Sequence, residues 1–354
     1  MEDIVISVIK ILSLGAIASV ISVLLTPFLT NILYKHKLWR KEVRKKTIDG
    51  KEAVYFNKFN SEREVSVPRF GGVLIWLVAL LVALIFFFLA NFFPDIYLFQ
   101  KFNFLSRSQT WLPFFALTAA GILGFLDDFL QVKGKGKYIA GGLTFLQRFL
   151  IVLLIGLIGG WWFFAKLDIQ TIHIPGNGDF YLGMWYILLF IIVTLACWSG
   201  GVIDGIDGLA GGVFAVIFGA FSIIAFFNNQ IDIAAFCSVI AGTTLSFLWF
   251  NIPPARFYMG ETGSLALTVT LAVVAFLTDS VLVLPIIAAP LVVEAGSVII
   301  QLISKKFFKK KIFLASPLHY HLEAKGWERE KITMRFWIFS VVLAIIGITI
   351  RLLG

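Results

Sequence analysis

The residues able to do chemistry in this chain are few and stand out against an apolar background. Asp127 and Asp128 are adjacent in Gly124-Phe-Leu-Asp-Asp-Phe-Leu-Gln-Val-Lys133, and neighbouring carboxylates repel, so the pair suggests a cation beside it or a shared proton. Asp204 and Asp207 lie in Trp198-Ser-Gly-Gly-Val-Ile-Asp-Gly-Ile-Asp-Gly-Leu-Ala-Gly-Gly212, where glycines let the backbone turn tightly and let a phosphate or sugar come close. One aspartate at the centre of a spanning helix costs roughly 2.5 to 3.5 kcal/mol on the translocon scale, so both belong at an aqueous face, beside a cation, or both. Met259-Gly-Glu-Thr-Gly-Ser264 reads as a tight turn opening a helix. Its free N–H groups would favour a phosphate, with Glu261 holding a bridging metal. His319 and His321 flank Tyr320 in a basic loop, where imidazole binds phosphate or moves a proton. Oxygen ligands from separate loops, with no cysteine among them, suit Mg²⁺ or Mn²⁺ rather than zinc. Together these parts would stabilise charge on transferring phosphoryl groups. Each alone also has a plainer reading, as a helix cap, a first-turn acid or an exposed loop residue.

The elements that must position these groups are membrane helices. The 354 residues are 59% hydrophobic and 14% charged, a composition that no water-soluble core absorbs. Met1-Glu-Asp-Ile lacks a basic n-region, so the first apolar run is expected to stay as a transmembrane helix. Apolar runs near ~20 residues number about ten, at 4–33, 71–93, 111–127, 143–164, 183–199, 209–227, 233–250, 264–279, 282–303 and 333–353. The expected fold is an all-α polytopic membrane protein, a single integral domain over 1–354. Basic residues concentrate in the loop set 34–70, 128–142, 200–208, 251–263 and 304–332, whereas the opposite loops carry only Lys101, Arg107 and Lys166. The positive-inside rule makes the first set cytoplasmic and puts both termini outside. Orientation and anionic lipid headgroups therefore account for the net charge of +9 without a nucleic-acid partner. Every chemical cluster falls in the cytoplasmic set, so those loops should build one active site. Segment 165–182 alternates apolar and polar residues and turns at Pro175 to Gly178, which predicts a small outward β-hairpin; His173 in it reads as a surface residue. Cys197 and Cys237 lie in apolar spans and read as buried hydrophobes, not a disulfide.

At these residues the chain resembles the polyprenyl-phosphate N-acetylhexosamine-1-phosphate transferases. The likeness covers essentially its whole length, from Val67-Pro-Arg-Phe-Gly-Gly72 through the Asp-Asp pair and the Asp204-Gly-Ile-Asp-Gly208 run to the last loop. Val293-Glu-Ala-Gly-Ser-Val-Ile-Ile-Gln301, Ser316-Pro-Leu-His-Tyr-His-Leu-Glu-Ala-Lys-Gly-Trp327 and Arg335-Phe-Trp337 make it most similar to the branch using UDP-MurNAc-pentapeptide. The resemblance implies a ten-helix enzyme of the bacterial cytoplasmic membrane, termini outside. It would join UDP-MurNAc-pentapeptide to undecaprenyl phosphate with Mg²⁺, releasing UMP, in the lipid I step of peptidoglycan synthesis. Position by position it implies catalytic roles for Asp127, Asp128, Asp204, His319 and His321, and nucleotide contacts for Asp207, Asn251 and Tyr258. Metal ligation would fall to Glu261 with Asp204 and Asp128. Arg63, Lys133 and Arg256 are expected at phosphates, and a homodimer is left open.

The chain also departs from the family pattern. Glu261 is one methylene longer than the usual aspartate, Trp198 and Gly201 replace an asparagine pair, Tyr320 replaces a middle histidine, and Leu143 stands near the place of a lysine. Ser66-Val-Pro-Arg-Phe-Gly-Gly72 is nearer to relatives that use UDP-GlcNAc, which makes a UDP-GlcNAc transferase the alternative within the class. Outside it, the alternative is an ion or solute transporter with Glu294 as its pathway residue. Against that reading, the remaining carboxylates gather at one face instead of tracing a path across the membrane.

Overall fold

A computed structural model describes residues 2–41, 64–105, 108–135 and 141–354. In chain order its helices are α1 (Glu2–Lys35), α2 (Val73–Phe92), a short α3 (Tyr97–Phe102), α4 (Ser108–Val132) and α5 (Phe145–Ala165). A hairpin of β1 (Thr171–Ile174) and β2 (Gly178–Tyr181) precedes α6 (Trp185–Ser199), which runs into a 3₁₀ turn, Gly200–Ile203. Then come α7 (Leu209–Phe227), α8 (Ile231–Asn251), α9 (Gly260–Leu277), α10 (Leu284–Ile287), α11 (Ala289–Ile303), α12 (Leu318–Ala324) and α13 (Arg329–Leu353). A π-helical turn, Ser304–Phe308, extends α11.

Among the described residues, nine helices are long and apolar enough to cross a membrane, and the protein is a multi-pass, all-α membrane protein. Burial sorts them. The most apolar stretch of α9 is 94% buried whereas those of α5 and α13 are 22% buried, so α9 is the central post and the other two line the lipid-facing rim. A helix hydrophobic on all sides belongs at such a centre. Gly124 lets α4 lie against its first turn. A Cβ at 124 would overlap the Glu261 carbonyl, so the two backbones meet only through a small residue, as in close membrane helix pairs.

The expected span at 282–303 is instead broken into α10 and α11, which meet at Ala288. Pro285 and Pro290 sit in the first turns of these two pieces. Neither has an amide hydrogen to continue a helical ladder. The broken run still crosses the bundle: it starts beside Asp279, which bonds the hairpin, and Glu294 in α11 pairs with His319, whose ring packs against Gly205 in the Asp204 turn.

The predicted hairpin is present, antiparallel, with His173 opposite Asp179. His173 is more engaged than a plain surface residue. Its backbone N–H donates to Asp279 Oδ1 at 3.0 Å, and its ring nitrogens lie 3.0 Å from Asp179 Oδ1 and 2.7 Å from the Gly354 carbonyl oxygen. These bonds pin the hairpin to the turn after α9 and to the end of α13, at the far end from the acidic cluster.

Candidate active site

Asp127 and Asp128 were expected at the end of a helix, opening a loop at 128. The helix instead continues to Val132, so both side chains project from its last turns and their positions are set by helix packing. Asp128 is fully buried. Its Oδ2 accepts the backbone N–H of Thr262 at 2.9 Å and the Thr262 hydroxyl at 2.8 Å, and its Oδ1 accepts Arg69 Nε at 3.0 Å. The first turn of α9 has N–H groups with no partner in its own helix, and the helix dipole favours a negative charge there. Asp128 supplies both.

Asp127 points to the other side. Its Oδ1 accepts the Leu143 N–H at 2.6 Å, while Oδ2 accepts Gln131 Nε2 and pairs with Arg148 Nη2, both at 2.8 Å. Arg148 extends its other arm, Nη1, to Glu261 Oε1 at 2.5 Å. Local sequence sets this geometry: Thr144 and Gln147 form a capping box that starts α5, and the capped start puts Arg148 in the first turn. Asp204, just past the 3₁₀ turn, accepts the Gly260 N–H through Oδ2 at 3.0 Å. Four carboxylates and two guanidinium groups thus converge where α4, α5, the Asp204 turn and α9 meet.

The excess of acids shows in their electrostatics. Burial pushes the Asp204 carboxyl up to about 7; Arg69 and the Gly260 N–H oppose the rise, whereas Asp128 and Glu261 add to it. Burial alone would lower the Arg69 guanidinium, but Asp128 and Asp204 hold it above its ordinary range. Hard oxygen donors in surplus over cations match a divalent ion such as Mg²⁺. Asp204 Oδ1 and Glu261 Oε2 carry no hydrogen bond among the described residues, so these two acids are the ones able to hold it, with Asp128 behind them. Arg69 and Arg148 offset part of the repulsion among the acids. Among the described residues, the one group of three ligand atoms within 4.8 Å of one another is His173, Asp179 and Asp279 at the opposite end.

The remaining expected residues build the surround. Asp207 Oδ2 accepts the Ala255 N–H at 3.1 Å, and Asn251 bonds the Gly208 N–H at 3.0 Å and the Phe257 carbonyl at 2.8 Å. They lock the Asp204–Asp207 turn onto the loop between α8 and α9. The Tyr258 backbone joins that loop to Pro68 and Gly71. His319 is buried, with its ring against Glu294; Glu294, the residue a transport path would need, is therefore committed to an internal pair. His321 accepts the Leu314 N–H at 3.1 Å and packs edge-on to Phe313, outside the acidic cluster. Lys133 is exposed and lies over the Phe129 ring, and Arg256 lies over Phe250. Arg63 lies outside the described residues.

Arg69 and Arg148 are the members of this cluster to which the sequence alone gave no role. Arg69 stood inside a quoted motif without a role. Arg148 lies inside the apolar run drawn as 143–164, and an ionisable residue at such a place is itself a signal of function.

Comparison with known proteins gives the family. Residues 110–279 match the family model described as Glycosyl transferase family 4, a segment that carries both the Asp-Asp pair and the Asp204 and Glu261 turns. A phospho-N-acetylmuramoyl-pentapeptide-transferase of Geobacillus sp. (strain WCH70) is 36% identical over 293 residues, covering 82% of this chain and 85% of that protein. The proteins of the same name from Listeria monocytogenes serovar 1/2a and Bacillus pumilus are 35% and 36% identical with the same coverage. Fold and relatives together define a multi-pass membrane transferase, with an acidic centre at one end of its bundle. The chain belongs to the phospho-N-acetylmuramoyl-pentapeptide-transferase family.

Proposed function

We propose that this protein transfers phospho-MurNAc-pentapeptide from UDP-MurNAc-pentapeptide to undecaprenyl phosphate, giving lipid I and UMP, at the cytoplasmic face of a bacterial inner membrane. The observation that carries the reading is the convergence of Asp127, Asp128, Asp204 and Glu261 with Arg69 and Arg148, in a member of that family. An oxygen of the lipid phosphate attacks the β-phosphorus of the nucleotide sugar. The bond from that phosphorus to the oxygen bridging the α-phosphate breaks, and UMP leaves with that oxygen.

Phosphoryl transfer depends on positioning and charge stabilisation more than on covalent steps. Arg148 and Arg69 offer planar donors suited to phosphate oxygens, and the acids beside them orient both side chains. Asp127, tied to Gln131, Leu143 and Arg148, is the group to take a proton from the lipid phosphate. Asp207 and Asn251 hold the turn against which the uridine rests. Mg²⁺ held by Asp204 and Glu261, with Asp128 behind, would supply neutralisation of pyrophosphate charge.

Purified protein incubated with undecaprenyl phosphate and either UDP-MurNAc-pentapeptide or UDP-GlcNAc tests this directly. UMP release is expected with the first and not the second, and chelation of divalent ions should abolish it. Release from UDP-GlcNAc alone would assign the protein to the other branch of the class. Near-normal turnover by both Asp204→Asn and Glu261→Gln would overturn the metal assignment.

A further inference from the structure

Glu294 and His319 form a pair that the reaction as described leaves unused. Both side chains are completely buried. Glu294 Oε2 lies 2.9 Å from His319 Nδ1, and Glu294 Oε1 accepts the backbone N–H of His319 at 3.2 Å. One carboxylate thus grips both the ring and the main chain, which fixes the direction in which the imidazole points.

The far side of the ring has no such partner. His319 Nε2 is buried with no hydrogen bond. It faces Gly205, where a Cβ would collide with that nitrogen. Tyr320 closes the same contact, its hydroxyl donating to the Gly205 carbonyl at 2.9 Å. Gly205 belongs to the turn that carries Asp204 and Asp207, so Nε2 is aimed at the backbone that sets both acids.

Hydrogen-bond chemistry decides which nitrogen carries the proton. The Glu294 oxygen nearest Nδ1 lies at hydrogen-bond distance, and a carboxylate oxygen accepts from a ring N–H. A second proton on Nε2 would bury a donor with no acceptor, which costs free energy. We infer that Glu294 is a positioning residue that holds His319 as the Nδ1–H tautomer, with the bare Nε2 seated against Gly205, so that the neutral ring supports the turn that carries Asp204 and Asp207. Its effect on turnover rests on the reaction proposed above. It also alters the role expected of His319: the ring is a neutral, buried support of that turn and not a cationic phosphate ligand.

Glu294→Gln tests the inference, because an amide has a donor as well as an acceptor. With its oxygen serving the main-chain N–H, its NH₂ group faces Nδ1 and drives the ring proton to Nε2. The chain has four histidines, so ¹⁵N-histidine spectra of the full chain in lipid nanodiscs, with His319→Gln marking the signal, read the tautomer without substrate. Protonated Nδ1 and bare Nε2 are expected in the wild type and in Glu294→Asp, with the reverse in Glu294→Gln. An Nε2–H ring or an imidazolium in the wild type would overturn the inference. In UMP-release assays Glu294→Gln should lower kcat/KM by about 10- to 100-fold, with Glu294→Asp recovering part of the loss. Because Glu294 acts through His319, the double variant Glu294→Gln/His319→Gln should be no slower than His319→Gln; losses that multiply would overturn it. A wild-type protein that turned over neither sugar nucleotide would fault the substrate reading and leave the tautomer result standing.

Discussion

Asp128 caps α9 from a different helix: one of its oxygens accepts both the N–H and the hydroxyl of Thr262, at 2.9 and 2.8 Å. The central helix of the bundle therefore begins on a side chain supplied by α4. Thr262→Ala removes one of these bonds and should cost about 1 kcal/mol. Asp128→Ala should cost roughly 3 kcal/mol, because it removes both bonds to Thr262 and the hydrogen-bonded partner of the half-buried Arg69 guanidinium. Thermal unfolding of both variants in detergent checks the ranking, and equal losses would mean that the cap carries no weight.

Arg148 joins Asp127 to Glu261, and its removal leaves two acids facing each other. Arg148→Met is expected to cost about 2 kcal/mol, less than a fully buried pair because the arginine keeps some solvent contact. Adding Glu261→Gln should recover part of that stability, although not activity. A double-mutant cycle on the melting temperature measures the coupling. Additive losses would show that the bridge is incidental.

Asp204 gives a pH dependence with a definite sign. Its carboxyl is pushed from 3.8 to about 7, so between these values the folded protein holds a proton that the unfolded chain releases. Stability should then fall as pH rises through that window and level off above about 7, the slope following the difference in bound protons. Activity should run the opposite way, because the metal and the phosphates need the ionised acid. Asp204→Asn should accordingly raise the melting temperature at pH above 7 in chelator while abolishing UMP release. A variant no more stable than the wild type across the whole range would contradict this.

Gly124→Ala tests the contact between α4 and α9. The added methyl has no room beside the Glu261 carbonyl, and overpacking of this kind costs roughly 1 to 3 kcal/mol. Because the same contact sets Asp127 and Asp128 relative to Glu261, UMP release should fall by up to about 100-fold. A methyl accommodated with full activity would show that the helices can part without moving the acids.

Much of the fold was legible in the chain. Apolar runs of spanning length gave the helices, and the alternating segment at 165–182 gave the hairpin. The break inside the ninth run was hidden because hydropathy registers length but not proline, and Pro285 and Pro290 interrupt the helix that composition alone would continue. Residue type and spacing also picked out Asp127, Asp128, Asp204 and Glu261 as a group. What stayed hidden were their partners. Nothing local links Arg148 to Glu261, or Glu294 to His319, across such sequence separations, and Arg69 stood in a motif without an assigned partner.

The sequence by itself determined that this is a membrane enzyme with an acidic centre, because burying apolar runs and exposing charge are properties of segments taken one at a time. Only the tertiary structure decided which carboxylate oxygens carry no hydrogen bond among the described residues and which nitrogen of His319 has no partner. A carboxylate has few lone pairs and an imidazole one or two protons, so their use depends on the donors and acceptors that packing brings within about 3 Å. Those partners come from other helices, and their approach is set by the shape of the bundle.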